Sequence, residues 1–237
     1  HTFDDMRHFL SSVNRILGFS NESGYIRAEN HLIHVDSFPM GIDYRKFEEA
    51  AGSPEVQKIK FRFKKSLGDQ KLLLSIDRLD YSKGILQRLR AFQLFLEENP
   101  EYRNKVSLIM ILVPSREQVK EYRRLKEEID TLVGNINSNF STFTWVPVHY
   151  FYRSFLFQEI SAFYSMADIA LVTPLRDGMN LVCKEFVASK TDQSGVLILS
   201  EMAGASKELY EAILVNPNDI QAVSLAIKEA LEMELPK

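Results

Sequence analysis

Cysteine is almost absent from this sequence, because Cys183 is the only one among 237 residues. A single cysteine excludes an intrachain disulfide and a zinc site built from several cysteines. The five histidines show no metal-ligand spacing, so we expect neither a tightly bound metal ion nor another cofactor. A reducing compartment is consistent with this composition, and we expect a cytoplasmic location.

Long hydrophobic runs are absent as well, since none approaches the ~18–20 residues that a membrane-spanning helix requires. The longest run, at residues 106–114, is interrupted by Ser107 and is typical of a buried strand. The amino terminus shows neither a signal-peptide pattern nor an initiator methionine. We therefore expect that this chain is a piece of a longer protein and that it does not bind a membrane.

Neither sign of charge dominates, because 29 Lys and Arg residues stand against 32 Asp and Glu residues, for a net charge of −3. Bulk charge therefore does not favour binding to nucleic acid or to an anionic membrane. An anion-binding site has to be a local cluster of cations.

Three glycine-containing motifs are also missing from the chain. They are the Gly-x-Gly-x-x-Gly fingerprint of nicotinamide dinucleotides, the Gly-x-Ser-x-Gly nucleophile elbow and the Walker pattern. Cys183 has no histidine near it in the sequence. An NAD-dependent enzyme and covalent nucleophilic catalysis are therefore disfavoured.

The chain from residue 71 onward alternates short apolar runs with segments of helical spacing. The apolar runs predict strands at residues 71–77, 106–113, 142–146, 169–173, 196–200 and 213–215. Continuous apolar strands separated by helices indicate a parallel sheet covered on both faces. Right-handed crossovers make this an α/β, doubly wound, Rossmann-like fold.

The helices and the amino-terminal segment complete this prediction. We expect Ser115 to cap a long charged helix that runs to about residue 133. Residues 1–50 do not fit the alternation, and they predict a helix that ends at Gly18 and a strand-turn-strand at 24–37. We interpret residues 1–50 as the end of a preceding domain plus a linker, and residues 51–237 as a second domain.

The loop at residues 75–84 follows the first predicted strand and carries Arg78 and Lys83. In such sheets, ligands bind outside the carboxyl ends of the strands. Free N–H groups and the positive dipole end at the start of the next helix favour an anion such as a phosphate. The alternative is that Arg78 pairs with Asp77 or Asp80 and that Lys83 is solvated, and the spacing does not decide between them.

A second unusual loop, at residues 173–185, turns directly into a helix. Backbone amides of about residues 179–182 would point into the cleft and suit a diphosphate or a sugar. Asp177 stands at the tip, where a carboxylate accepts from sugar hydroxyls, and Glu185, about two turns into the helix, suits the hydroxyls of a ribose. The alternative is that Asp177 caps the helix and Glu185 is an exposed helix residue.

Two further loops are less specific. Arg116 follows the second strand at the expected start of a helix, and the residues alone favour a solvated side chain there. Residues 148–155 are rich in Tyr and Phe, which stack on a base, close a cleft or belong to a core.

Together these segments resemble the trehalose-6-phosphate synthase family, retaining glycosyltransferases of the two-domain GT-B architecture. Residues 75–84, Ser-Ile-Asp-Arg-Leu-Asp-Tyr-Ser-Lys-Gly, resemble the family's phosphate loop. Residues 173–185, Thr-Pro-Leu-Arg-Asp-Gly-Met-Asn-Leu-Val-Cys-Lys-Glu, resemble its donor-sugar loop. Residues 34–43 resemble its interdomain segment and residues 7–18 its preceding helix. The resemblance extends over about residues 3–230.

The resemblance implies that UDP-glucose and glucose 6-phosphate are joined to trehalose 6-phosphate with release of UDP and retention at the anomeric carbon. It implies catalytic roles for Arg78, Lys83 and Asp177, the first two on the diphosphate. Phe155 matches the uracil-contacting position, Glu185 the ribose-binding position and Arg116 a residue that meets the acceptor's 6-phosphate. The implied donor-binding residues are Arg78, Lys83, Phe155, Asp177, Gly178, Met179, Asn180, Leu181, Val182 and Glu185.

Family members also have an amino-terminal domain of similar size that supplies most acceptor contacts. We therefore expect residues 51–237 to be the donor-binding domain, able to bind UDP or UDP-glucose but poorly active alone. Exposed interface surface on residues 1–50 would favour a homo-oligomer. Two alternatives stay open: a non-catalytic, regulatory relative, and a transferase that uses another nucleotide donor or a pseudo-sugar acceptor.

Overall fold

The computed structural model describes residues 1–233 and begins with a helix and a small antiparallel sheet. Helix α1 (Phe3–Leu17) ends at Gly18, which adopts the left-handed conformation as predicted. The sheet comprises β1 (Asn21–Glu22), β2 (Tyr25–Ala28) and β3 (His31–His34). Strands β2 and β3 confirm the predicted strand-turn-strand, whereas β1 was not predicted.

Two helices connect this segment to the main sheet. Helix α2 (Tyr44–Gly52) was not predicted; Asp43 caps it by accepting a hydrogen bond from a backbone N–H of its first turn. Helix α3 (Pro54–Leu67) begins with Ser53 as its cap and proline as its first residue. The predicted division at residues 50 and 51 falls inside α2, and it stays a prediction.

A six-stranded parallel sheet forms the centre of the molecule, in the order β6-β5-β4-β7-β8-β9. Its strands are β4 (Lys71–Arg78), β5 (Val106–Val113), β6 (Val148–Tyr152), β7 (Ile169–Val172), β8 (Val196–Ser200) and β9 (Ile213–Val215). The chain builds outward from β4 in one direction and then from β7 in the other. This confirms the predicted doubly wound, Rossmann-like α/β fold.

The prediction of a strand at residues 142–146 was wrong, because the strand in this part of the chain is β6, at Val148–Tyr152. The earlier segment contains Phe143, which is fully exposed, and Trp145, which is buried. The indole N–H of Trp145 donates to the carbonyl of Val106 at 3.0 Å, so this segment is a loop that is held against the start of β5. The aromatic residues after it pair with β5 because aromatic side chains suit a pleated surface.

Five helices cover the sheet: α4 (Ile85–Glu98), α5 (Lys120–Phe140), α6 (Phe157–Met166), α7 (Leu181–Ala188) and α8 (Ile220–Glu232). The start of α5 was predicted wrongly. Ser115 does not cap it; the chain turns at Arg116, which has φ 50°, and the helix begins only after Val119. Arg116 therefore lies in a loop before α5, not at the start of that helix.

The core has two layers, one on each face of the sheet. Strand β5 shows this directly, since Leu108, Met110 and Leu112 pack with α4, α5 and α8. Ile109 and Ile111 of the same strand pack with α6 and α7 on the opposite face. This alternation follows from the two-residue period of a strand. Within residues 1–233, no helix combines the length and apolar character needed to cross a bilayer.

The strand order reverses between β4 and β7. Strand β4 pairs with β5 along its whole length, but with β7 only at Leu73 and Leu74. Beyond those residues, towards their carboxyl ends, the two central strands share no paired register. A crevice at this position is where ligands bind in doubly wound folds.

Candidate active site

A cavity of about 340 Å³ lies at this crevice, between the loops that follow β4 and β7. Asp77, Met40 and His1 contribute to its wall. The remaining lining residues are all sequence-predicted site residues: Arg78, Lys83, Asp177, Gly178, Met179, Asn180, Leu181 and Val182. The structure thus brings the two predicted loops together around one space.

The loop after β4 forms a tight turn that presents its cations. Asp80 accepts hydrogen bonds from the backbone N–H of Ser82 at 2.9 Å and from its hydroxyl at 2.8 Å, and so caps the short 3-10 turn at Tyr81–Lys83. Arg78 is exposed and makes no ion pair within residues 1–233. The alternative in which Arg78 pairs with Asp77 or Asp80 is therefore wrong.

Lys83 and Asp177 form an ion pair that joins the two loops in the cavity wall, with 2.6 Å between Nζ and Oδ2. Their side chains are only 15% and 16% exposed. The alternative in which Lys83 is solvated is therefore wrong as well. The pair places a positive and a negative group side by side, which suits a ligand that carries both phosphate and hydroxyl groups.

The loop after β7 ends at Asn180, which has φ 74° and caps α7. Its side-chain oxygen accepts a hydrogen bond from the backbone N–H of Cys183 at 3.2 Å. Asn180 also donates to Asp177 Oδ2 at 3.1 Å. Because Asn180 is the cap of α7, the alternative that assigned this task to Asp177 is wrong. The first residues of α7 line the cavity, so its amino-terminal end faces the space between the loops.

Glu185 lies one turn into α7, not two as the sequence suggested. The Tyr164 hydroxyl donates to Glu185 Oε2 at 2.6 Å. Burial and the neighbouring Glu185 carboxylate raise the pKa of Tyr164 well above its usual value, so this hydroxyl keeps its proton. Glu185 is partly buried and is fixed by this bond, but it is not among the residues that line the cavity.

Phe155 lies away from the cavity wall, in a cluster of aromatic rings. Its ring packs edge-on against Phe151 at 5.4 Å and Phe163 at 5.2 Å, and the Arg153 guanidinium lies 4.4 Å from its centre. Most of the aromatic segment 148–155 is β6 itself, not a loop after a strand as the sequence suggested.

Arg116 is linked to the Lys83 turn through one tyrosine. Arg116 donates to the Tyr122 hydroxyl at 2.9 Å, and that hydroxyl donates to Asp80 Oδ2 at 3.0 Å. Burial tends to raise the pKa of Asp80, but the hydrogen bonds from Ser82 and Tyr122 and the charge of Arg116 outweigh it and lower the pKa. Asp80 thus stays ionised and holds both partners.

Sequence reasoning missed Arg88, which lies on the buried face of α4 and is only 1% exposed. A signal was present, because Arg88 stands between Ile85 and Phe92 at the spacing of the apolar face. A charged residue at such a position needs a partner. The structure supplies that partner in Asp77, at 2.5 Å.

Neither a metal centre nor a reactive thiol is evident around this cavity. In the part of the chain that the structure describes, no group of three or more His, Cys, Asp or Glu side chains is placed to hold a metal ion. Burial raises the pKa of the Cys183 thiol to about 12, so it remains protonated at neutral pH.

Comparison with known proteins decides the family. The model of glycosyltransferase family 20 matches residues 1–237. The chain belongs to glycosyltransferase family 20. It is 47% identical over 233 residues to the bifunctional trehalose-6-phosphate synthase/phosphatase of Thermoproteus tenax, covering 98% of this chain and 32% of that protein.

Solved structures of trehalose-phosphate synthases have the same fold as this chain. The α,α-trehalose-phosphate synthase of Burkholderia xenovorans, in complex with glucose-6-phosphate, superposes with a TM-score of 0.95 at 36% identity. The match covers 99% of this chain and 53% of that one. An Escherichia coli structure bound with UDP-2-fluoro glucose gives 0.93 at 33% identity, over 98% of this chain and 52% of that one. The family 20 chain thus spans about half of these structures, and they confirm the predicted GT-B relationship.

Proposed function

We propose that this chain is the donor-binding half of a retaining glycosyltransferase that converts UDP-glucose and glucose 6-phosphate into trehalose 6-phosphate and UDP. The cavity between the two central strands carries this proposal. It joins two cations, two carboxylates and the amino-terminal end of a helix in one space. The related Escherichia coli structure, bound with UDP-2-fluoro glucose, supports the assignment of the donor.

Arg78 and Lys83 are the proposed ligands of the diphosphate. Both line the cavity, and Arg78 has its guanidinium free of ion pairs within residues 1–233. Cations that are already in place when negative charge develops on departing UDP stabilise the transition state. The N–H groups at the start of α7 add further donors for phosphate or sugar oxygens.

Asp177 is the proposed partner of the donor glucose hydroxyls. In the step that we propose, the bond between the anomeric carbon and the phosphate oxygen breaks, and its electron pair leaves with UDP. The acceptor's anomeric hydroxyl forms the new bond on the same face and gives its proton to the departing phosphate oxygen. Such a front-face reaction needs no protein nucleophile, in agreement with the protonated Cys183.

Glu185, Phe155 and Arg116 are proposed to bind the ribose, the uracil and the acceptor phosphate. Tyr164 fixes the Glu185 carboxylate on α7, the helix whose first residues line the cavity, which supports the first role. Phe155 lies outside the cavity wall, so its role rests on the resemblance alone. We also propose that acceptor contacts come from a further domain, that no tightly bound metal is required, and that the protein is cytoplasmic.

Self-association is the remaining proposal on partners. Large apolar side chains of α1 and the small antiparallel sheet are more than two-fifths exposed: Phe3, Phe9, Ile16, Leu17, Leu32 and Ile33. Surface of this kind is typical of an interface with another domain or with a second copy.

The binding proposal is tested by calorimetric titration of the chain with UDP, UDP-glucose, GDP-glucose and NAD. We expect UDP and UDP-glucose to bind and the other two to give no heat of binding. Equal binding of GDP-glucose would favour a transferase with another donor, and binding of NAD alone would contradict the proposal. Turnover of UDP-glucose and glucose 6-phosphate by the full-length protein separates an enzyme from a non-catalytic relative.

A conservative substitution tests the role of Arg116. Tyr122→Phe removes the hydroxyl that links Arg116 to Asp80 but keeps the ring. Losing hydrogen bonds to charged partners costs about 1.5–3 kcal/mol, so we expect KM for glucose 6-phosphate to rise roughly tenfold in the full-length protein.

Tyr102→Phe is the matched control, because it removes a hydroxyl that donates to Glu232 at 3.1 Å. Tyr102 precedes β5, at the opposite end of that strand from Tyr122. Its KM for glucose 6-phosphate should equal that of the unaltered protein. An unchanged KM in Tyr122→Phe would show that Arg116 does not depend on this link.

A further inference from the structure

We propose that Arg88 is a positioning residue for the donor site: its buried guanidinium holds the turn that carries Lys83 against the loop that leads to Asp177. The inference rests on the proposed function and extends it to a residue that does not touch the cavity. Arg88 lies beneath the site, in the first turns of α4.

The guanidinium of Arg88 reaches both loops at once. Its Nε donates to the Thr173 hydroxyl at 3.0 Å, at the point where β7 ends. One terminal nitrogen donates to the Lys83 carbonyl at 2.9 Å. The other donates to Asp77 Oδ2 at 2.5 Å and to the Ser75 hydroxyl, both on β4. One side chain therefore joins β4, the Lys83 turn and the end of β7.

Backbone hydrogen bonds also join the loop after β4 to the loop after β7. The N–H of Leu175 donates to the Ser82 carbonyl at 2.8 Å, and that of Arg176 donates to the same carbonyl at 3.2 Å. A Cβ on Gly84 would stand 2.5 Å from the Thr173 carbonyl oxygen. The Lys83 turn thus packs directly against the loop after β7, so a displacement of the Arg88 side chain would move both segments.

Arg88 also balances the charge of one carboxylate in the cavity wall, that of Asp77. Asp77 is 6% exposed and lines the same cavity as Lys83 and Asp177. Burial raises the pKa of Asp77, and the Arg88 guanidinium opposes that rise. Arg88 is therefore the direct charge partner of Asp77, whereas the direct charge partner of Lys83 is Asp177.

A buried ion pair by itself is weak evidence for a role, because apolar side chains of similar size often replace such pairs without loss of stability. The geometry here is more specific than a pair. The planar fork of arginine serves four acceptors on three chain segments, and an ammonium group does not reproduce that pattern.

The test uses a double variant, Arg88→Met/Asp77→Asn, which leaves no unpaired buried charge. Calorimetry measures its affinity for UDP, and NMR titration measures that for uridine, which lacks the diphosphate. We expect a melting temperature close to that of the unaltered chain, uridine affinity unchanged and UDP affinity at least about tenfold weaker. Asp77→Asn alone is the reference for the lost carboxylate: Arg88 keeps its hydrogen bonds to Thr173 and Lys83 there, so the loss of UDP affinity should be smaller than in the double variant.

Arg88→Lys is a second variant that keeps the charge and loses the fork. It should also lower the ratio of UDP to uridine affinity, so the proposal remains testable if the double variant does not fold. UDP binding as strong in the double variant as in Asp77→Asn would overturn the positioning role, as would an equal loss of UDP and uridine. If the unaltered chain does not bind UDP, the proposed function fails and this role fails with it.

Discussion

Arg78→Ala/Lys83→Ala is expected to weaken UDP binding by about a hundredfold or more. Each side chain offers a charge-assisted hydrogen bond to the diphosphate, and such bonds contribute about 1.5–3 kcal/mol each. Their combined loss of about 3–6 kcal/mol corresponds to roughly two to four decades in Kd. Calorimetric titration with UDP measures this loss directly.

Lys58→Ala/Arg124→Ala is the matched control, because it removes one lysine and one arginine from exposed positions on α3 and α5. Both variants change the net charge by the same amount, so a general electrostatic effect would appear in each. UDP affinity within about threefold of the unaltered chain in Arg78→Ala/Lys83→Ala would show that the diphosphate binds elsewhere.

Gly84→Ala is expected to destabilise the fold by at least about 2 kcal/mol and to weaken UDP binding. Gly84 has φ 65°, and a side chain in that conformation costs about 1–2 kcal/mol by itself. The added Cβ would also meet the Thr173 carbonyl at 2.5 Å and push the two loops apart. Thermal unfolding should show a melting temperature about 4–8 °C lower.

Gly134→Ala is the control with the opposite sign. Gly134 lies inside α5, and a Cβ there would meet nothing within 4 Å. Alanine in a helix interior is favoured over glycine by about 0.5–1 kcal/mol, so this variant should unfold at a slightly higher temperature. A Gly84→Ala chain as stable as the unaltered one would show that the contact between the two loops is loose.

The fold was predictable where burial alone determines the structure. Strand β5 is apolar on both faces, and its predicted bounds, 106–113, agree with the structure. Errors came where local pattern and tertiary contact disagree. Phe143 and Trp145 suggested a strand, but Pro147 follows them and the indole is needed in the core. The start of α5 depends on a positive φ at Arg116, which the sequence did not indicate.

The site was predictable in part, for a topological reason. Loops that follow parallel strands gather at one edge of the sheet, so Arg78, Lys83 and Asp177 were expected to share a cleft. Their partners were not predictable in the same way. Lys83 meets Asp177 across 94 positions of sequence, and Arg88 meets Thr173 across 85. Such pairs depend on the packing of the folded chain, which no local spacing encodes.

The short pairing between β4 and β7 divides the sheet into two halves of three strands each, joined by a narrow seam. Residues on either side of that seam are candidates for local opening, since few ladder hydrogen bonds hold them. A nucleotide sugar seated on the loops of both halves would act as a clamp across the seam. Donor binding would then stabilise the packing of the two halves against each other. By linkage, tighter packing of the two halves would in turn strengthen donor binding.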